Sequence, residues 1–141
     1  MSQWVKALGI DYGRARIGLA VSDDLGMLAH PLETVSARSV EQSICRIAGI
    51  IRDRHIKDVV VGLPLHMNGE EGDAVAGVRK YVNRLRSVVA ESVIFHEVDE
   101  RLTTRSAMEK LHQAGRNEKN SRNIIDQVAA IEILQQWLDR R

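Results

Sequence analysis

Residues 5–22 read VKALGIDYGRARIGLAVS, two apolar runs on either side of a short polar turn. Val5–Asp11 and Ile17–Ser22 have strand composition, and Tyr12-Gly13-Arg14-Ala15-Arg16 between them carries the glycine a tight reversal favours. This pattern predicts an antiparallel hairpin. A second turn, Asp23-Asp24-Leu25-Gly26, leads into a third strand from about Met27 to Val35. Pro31 within it cannot donate to a hydrogen-bond ladder, so that strand belongs on a sheet edge.

Beyond the hairpin the rhythm changes to alternating helix and strand. Ser39 can cap a helix running to about Arg54, with Val40, Ile44, Ile47, Ala48 and Ile51 on one stripe. Cys45, the single cysteine, reads as a buried structural thiol in that helix. DVVVGL, Asp58–Leu63, is a continuous apolar run of the kind covered on both faces in a parallel sheet. Val75, Val78, Val82, Leu85 and Val89 recur at helical spacing, and Ser92–Val98 reads as a fifth strand. Thr103 or Thr104 can cap a helix to about Ala114, ended by Gly115, and a last helix is expected over Asn123–Asp139. The order β-β-β-α-β-α-β-α-α predicts an α/β fold. Right-handed crossovers build from it a five-stranded mixed sheet with helices on both faces and the first strand central.

Composition bounds the function classes. The chain has 141 residues, 44% apolar and 28% charged, the size and balance expected of one domain spanning residues 1–141. No apolar stretch approaches the roughly 20 residues of a membrane span, and no secretory signal opens the chain, so a cytoplasmic protein is expected. The formal net charge is +1, from 20 basic and 19 acidic residues, so any hold on nucleic acid must come from local patches.

In such a sheet, ligands collect beyond the carboxyl ends of the parallel strands. Asp11 ends the first strand and Glu100 follows the fifth, which brings both to the same edge. Asp126 lies in the last helix. At about 100° per residue it shares a side with Ala129, Ala130, Ile133 and Trp137 and so faces the sheet. A carboxylate there is costly unless a cation or hydrogen bonds compensate it. Converging carboxylates repel, and a hard divalent cation with oxygen ligands, Mg²⁺ or Mn²⁺, relieves the repulsion. Two ions roughly 4 Å apart can activate water and stabilise the leaving oxygen of a phosphodiester. His30, His55, His66, His96 and His112 are scattered and form no metal-ligand motif.

The basic residues suggest how a polyanion could be held. Arg14 stands beside Asp11 in the glycine turn with Gly13, and Arg101, Arg105, Lys110, Arg116, Lys119 and Arg122 outnumber Glu109 and Glu118 between positions 101 and 122. We take Gly13, Arg14, Arg101, Lys119 and Arg122 as candidate phosphate contacts, which position nucleic acid without reading sequence. Aromatic residues are scarce, so base stacking is not expected to dominate.

Four segments carry a resemblance over nearly the whole chain: GIDYGRARIGLAVSDDLG, VVVGLPLHMNG, VDERLTT and IIDQVAAIEIL. In that order they closely resemble the YqgF (RuvX) family, whose members are described as Holliday junction resolvases and as pre-16S ribosomal RNA nucleases. The resemblance implies an RNase H-like fold and a hydrolase, a Mg²⁺- or Mn²⁺-dependent nuclease. Its acidic residues fall on Asp11, Glu100 and Asp126. A departure is the pair Asp23-Asp24, where one acidic residue is commoner. The implied partner is nucleic acid, with precursor 16S ribosomal RNA and a monomer favoured over branched DNA and a dimer. Two other readings stay open: a nucleotide-binding domain, because the Asp11-Gly13 hairpin is similar to the phosphate turn of the sugar kinase and actin superfamily, and a non-catalytic RNA-binding module.

Overall fold

The computed structural model describes residues 5–101 and 118–141, with side chains of the second stretch described from Asp126 onward. Its elements are β1 (Ala7–Tyr12), β2 (Arg16–Ser22), β3 (Ala29–Ser36), α1 (Val40–Asp53), β4 (Asp58–Leu63), α2 (Asp73–Arg86), β5 (Ile94–Asp99) and α3 (Glu118–Arg140). The strands form one sheet in the order β3-β2-β1-β4-β5, with β1 at its centre. β1, β2 and β3 pair antiparallel, while β4 runs parallel to β1 and β5 parallel to β4. This is the expected mixed sheet. The expected helix over 103–114 lies outside the described residues.

Local chemistry explains where the boundaries differ from the sequence reading. β3 starts at Ala29 rather than Met27 because the Asp23 carboxylate accepts from Met27 N at 2.9 Å and Asp23 N donates to Leu28 O at 2.9 Å, closing a turn first. Asp24 pairs with Lys6 Nζ at 2.9 Å, so the acidic doublet divides between turn and ion pair. Pro31 sits on edge strand β3 opposite Ala20, where the register with β2 shifts. There its missing N–H costs no regular ladder bond. α3 begins at Glu118, five residues before the expected Asn123. The polar run EKNSRN has no apolar stripe to announce helix, yet it contains no proline or glycine to stop one.

The strands alternate between two cores. Leu8, Ile10, Ile17, Leu19, Val59, Val61 and Leu63 pack with Ile44, Ile47 and Ile51 of α1 and Val75, Val78 and Leu85 of α2. Ala7, Ala20, Val60 and Val98 face the other way, against Ala130, Ile133, Leu134 and Leu138 of α3. Ser39 caps α1 as expected, its Oγ accepting from Gln42 N at 3.2 Å. Cys45 is exposed, which corrects the expectation of a buried thiol. The buried side of α1 is Ser43, Ile44, Ile47, Ile50 and Ile51, and Cys45 stands about 100° round from Ile44, off that stripe. Among the described residues no helix is long and apolar enough to cross a membrane.

Candidate active site

The site grows from a single row of residues across the sheet. Asp11 on β1 is paired with Gly18 on β2. On its other side, Ile10 pairs with Val61 of β4, so the next residue along β4 is Gly62, and Gly62 in turn pairs with Val98 of β5. Asp11 is thus flanked on both strands by glycine. The row lies on the α3 face, because Ala7 and Val98, an even number of residues from Asp11 and Glu100, belong to the core under α3.

Both glycines are needed for space. A Cβ on Gly18 would collide with the carbonyl of Asp126 and lie 3.0 Å from its Cβ. A Cβ on Gly62 would lie 2.5 Å from Glu100 Oε2 and strike the end of Ile133. Gly9 repeats the pattern one step back, where a Cβ would come within 2.7 Å of Leu134 Cβ and 2.9 Å of the Ala130 carbonyl. These glycines form a trough into which α3 settles. It carries Asp126 down beside Asp11, while the Glu100 carboxylate lies over Gly62 on the opposite flank.

Asp11 is fully buried and Asp126 is 1% exposed; Glu100 is half-buried, its N donating to Leu63 O at 3.2 Å. The structure therefore brings the three expected acidic residues to the carboxyl end of one sheet face. Their donor set is entirely anionic oxygen, which fits a hard divalent cation. Among the described residues no group of three His, Cys, Asp or Glu side chains already stands as a metal-holding cluster. Asp126 instead accepts a hydrogen bond from Arg16 Nε, Oδ2 to Nε 2.9 Å.

Arg16 was missed in the sequence, although a signal for it existed. It opens β2 two residues before Gly18, and alternation puts both on the face where Asp126 docks. Arg14, preferred from the sequence, is exposed in the β1–β2 turn, with Gly13 half-buried beside it. Arg101 is held locally: its guanidinium grips Asp99 through Nε and Nη2 at 2.8 and 2.6 Å, and its Nη1 donates to Met67 O at 3.1 Å. That bond keeps the Asp99 carboxyl below the usual carboxylate range. It also ties the loop after β4 to the end of β5. The side chains of Lys119 and Arg122 lie outside the described residues. α3 itself is fastened to β3 by Gln127 Nε2 donating to Thr34 Oγ1 at 3.1 Å and by Gln135 Oε1 accepting from Ala29 N at 2.9 Å.

A central β1, a flanking antiparallel hairpin and a helix laid across the acidic face define an RNase H-like fold. The solved structure of T. thermophilus RuvC in complex with Holliday junction substrate matches it with a TM-score of 0.59 over 97% of this chain and 95% of that one, at 16% identity, a likeness of fold. A family model described as "RuvX: Holliday junction resolvase" matches residues 5–140, and the chain belongs to this family. Relatives named "Putative pre-16S rRNA nuclease" include one from Nocardia farcinica, 43% identical over 96% of this chain and 78% of its own length. Another, from Chloroflexus aggregans, is 42% identical over 95% of this chain and 93% of its own length.

Proposed function

We infer that this protein is a nuclease that hydrolyses phosphodiester bonds of precursor 16S ribosomal RNA, with Asp11, Glu100 and Asp126 as its catalytic and metal-holding residues. The observation that carries this reading is Asp11, an acidic residue with no exposed surface, flanked by two glycines above which Asp126 and Glu100 are placed. Burying Asp11 and Asp126 and half-burying Glu100 on one sheet face opposes stability, and supports a role in binding a cation rather than in holding the fold. The relatives' name supports the ribosomal RNA substrate.

Mg²⁺ or Mn²⁺, when bound, supplies Lewis-acid activation of water and of the phosphate. Asp11, central in the row, would be the principal residue holding it, and Glu100 and Asp126 would complete the set from opposite flanks and orient a water for attack. Gly13 and Arg14, in the β1–β2 turn that follows Asp11 and Tyr12, offer a backbone approach and a cation to the phosphate. Arg101, Lys119 and Arg122 would extend the contact along the strand of nucleic acid. Hydrolysis by an activated water would leave a 5′-phosphate and a 3′-hydroxyl. We place the reaction in the cytoplasm, in a single domain over residues 1–141.

Resolution of a four-way DNA junction is the second reading, favoured by the description of the family model. A resolvase must cut two strands symmetrically and therefore works as a two-fold dimer. The deciding experiment offers purified protein a ribosomal precursor fragment and a four-way junction, with and without Mn²⁺, while its mass in solution is recorded. The expected result is Mn²⁺-dependent cleavage of the precursor by a monomer, and loss of that cleavage in Asp11→Asn by about 10³-fold or more without loss of fold. An Asp11→Asn rate equal to the wild type overturns the assignment. ATP binding with no cleavage would favour the nucleotide-binding reading, and RNA binding that is indifferent to Asp11 would favour a non-catalytic module.

A further inference from the structure

The Arg16–Asp126 pair joins two groups of unequal freedom. The Asp126 side chain is 2% exposed and its backbone rests on Gly18, so the packing of α3 on β2 fixes where this residue stands. The Arg16 side chain is 30% exposed and reaches the pair from the first residue of β2. Its stem can reorient toward solvent while the carboxylate stays. A buried carboxylate remains charged only with a cation or strong donors beside it, and arginine keeps its proton in any protein environment. A divalent ion is the stronger cation for such an oxygen, but it must compete with the guanidinium already there.

We propose that Arg16 is an exchangeable counter-cation of the site: it holds the Asp126 carboxylate in the metal-free protein and is displaced when a divalent ion binds. This rests on the nuclease reading above and adds a positioning residue to it. Arg16 holds the Asp126 carboxylate at the trough beside Asp11 through the 2.9 Å bond. In doing so it lowers the affinity for metal, so the site fills only when the ion's gain exceeds the loss of the pair. The displaced guanidinium, at the mouth of the same trough, carries a planar fork suited to phosphate as well as to carboxylate.

The test is Mn²⁺ binding by calorimetry to the full chain, to Arg16→Gln and to Asp11→Asn, with folding checked by circular dichroism. Arg16→Gln is expected to bind Mn²⁺ tighter than wild type by roughly tenfold, the size of coupling typical of groups in direct contact. A second measurement needs no variant. In wild-type protein titrated with Mg²⁺, the NMR signal of the Arg16 Nε–H is expected to move from a protected to a solvent-exchanging position as the metal site saturates. If Mn²⁺ binds in an Asp11-dependent way but Arg16→Gln binds it no tighter, and the Arg16 signal stays in place, the proposal is overturned and the nuclease reading stands. Failure of Mn²⁺ to bind, or binding indifferent to Asp11→Asn, overturns both.

Discussion

The two faces of the sheet are built from alternate residues of the same strands, yet they have little in common. Toward α1 and α2 the strands present Leu8, Ile10, Ile17, Leu19, Val59 and Val61, large side chains buried to within 1% of completely. Toward α3, β1, β2 and β4 present Ala7, Gly9, Asp11, Gly18, Ala20, Val60 and Gly62, among which only Val60 is a sizeable apolar side chain, and β5 adds Val98. The first face holds helices at the distance set by interlocking aliphatic chains. The second lets a helix backbone come down to the strands. Burial stabilises in proportion to apolar area, so the first face contributes most of the stability. A close-packed backbone contributes less area but fixes positions tightly, which is what an acidic site needs. Period-two alternation therefore puts the large aliphatic core and the acidic row on opposite sides of one sheet.

The sharpest way to break this division is a cavity on the first face. Ile47 on α1 is completely buried, and Ile47→Ala is expected to cost about 2–5 kcal/mol in urea unfolding. The rate per folded molecule should stay close to that of wild type, because Ile47 belongs to the cluster away from α3. A large fall in that rate would show that the faces are not separable. Next in size is Gly18→Ala. The added methyl meets the backbone of Asp126 rather than the end of a flexible chain, so α3 must rise or β2 must bend. Overpacking of this kind costs about 1–3 kcal/mol. Cleavage should fall further than stability, by about 10²-fold, because the displacement acts directly on Asp126. The comparison of kcat with the unfolding midpoint measures the difference.

The same asymmetry governs what could be read in advance. The first face was legible because Ile44, Ile47 and Ile51 or Val75, Val78 and Leu85 recur at helical spacing, and the run Val59, Val60, Val61 announces a strand covered on both sides. From this the strand order and the central place of β1 followed. Asp11, Glu100 and Asp126 were legible too, as acids at strand ends and on an apolar helix face. Gly9, Gly18 and Gly62 were not, since a glycine in a strand carries no periodic signal and its reason lies in groups distant in the chain. Arg16 escaped for a related cause. It neighbours Asp126 only after α3 has docked, at a sequence separation of 110, whereas Arg14 lies in the turn that follows Asp11. Sequence proximity pointed to Arg14 as a phosphate contact and carried no signal for an arginine paired with Asp126.

The smallest effect sharpens the comparison by reversing its sign. Gly77 lies inside α2 and is exposed, and a Cβ built on it meets nothing within 4 Å. Unlike Gly18, it has no helix resting on it. What glycine contributes there is only unfolded-state freedom and a poorer helix propensity. Gly77→Ala should therefore raise stability by about 0.4–1 kcal/mol and leave the cleavage rate unchanged. The chemical change is identical to Gly18→Ala, one hydrogen replaced by one methyl, but at Gly18 the methyl meets the backbone of Asp126 and at Gly77 it meets open space. If Gly18→Ala also stabilised the protein, or if both substitutions damaged it equally, the trough would not be what positions Asp126 against Asp11.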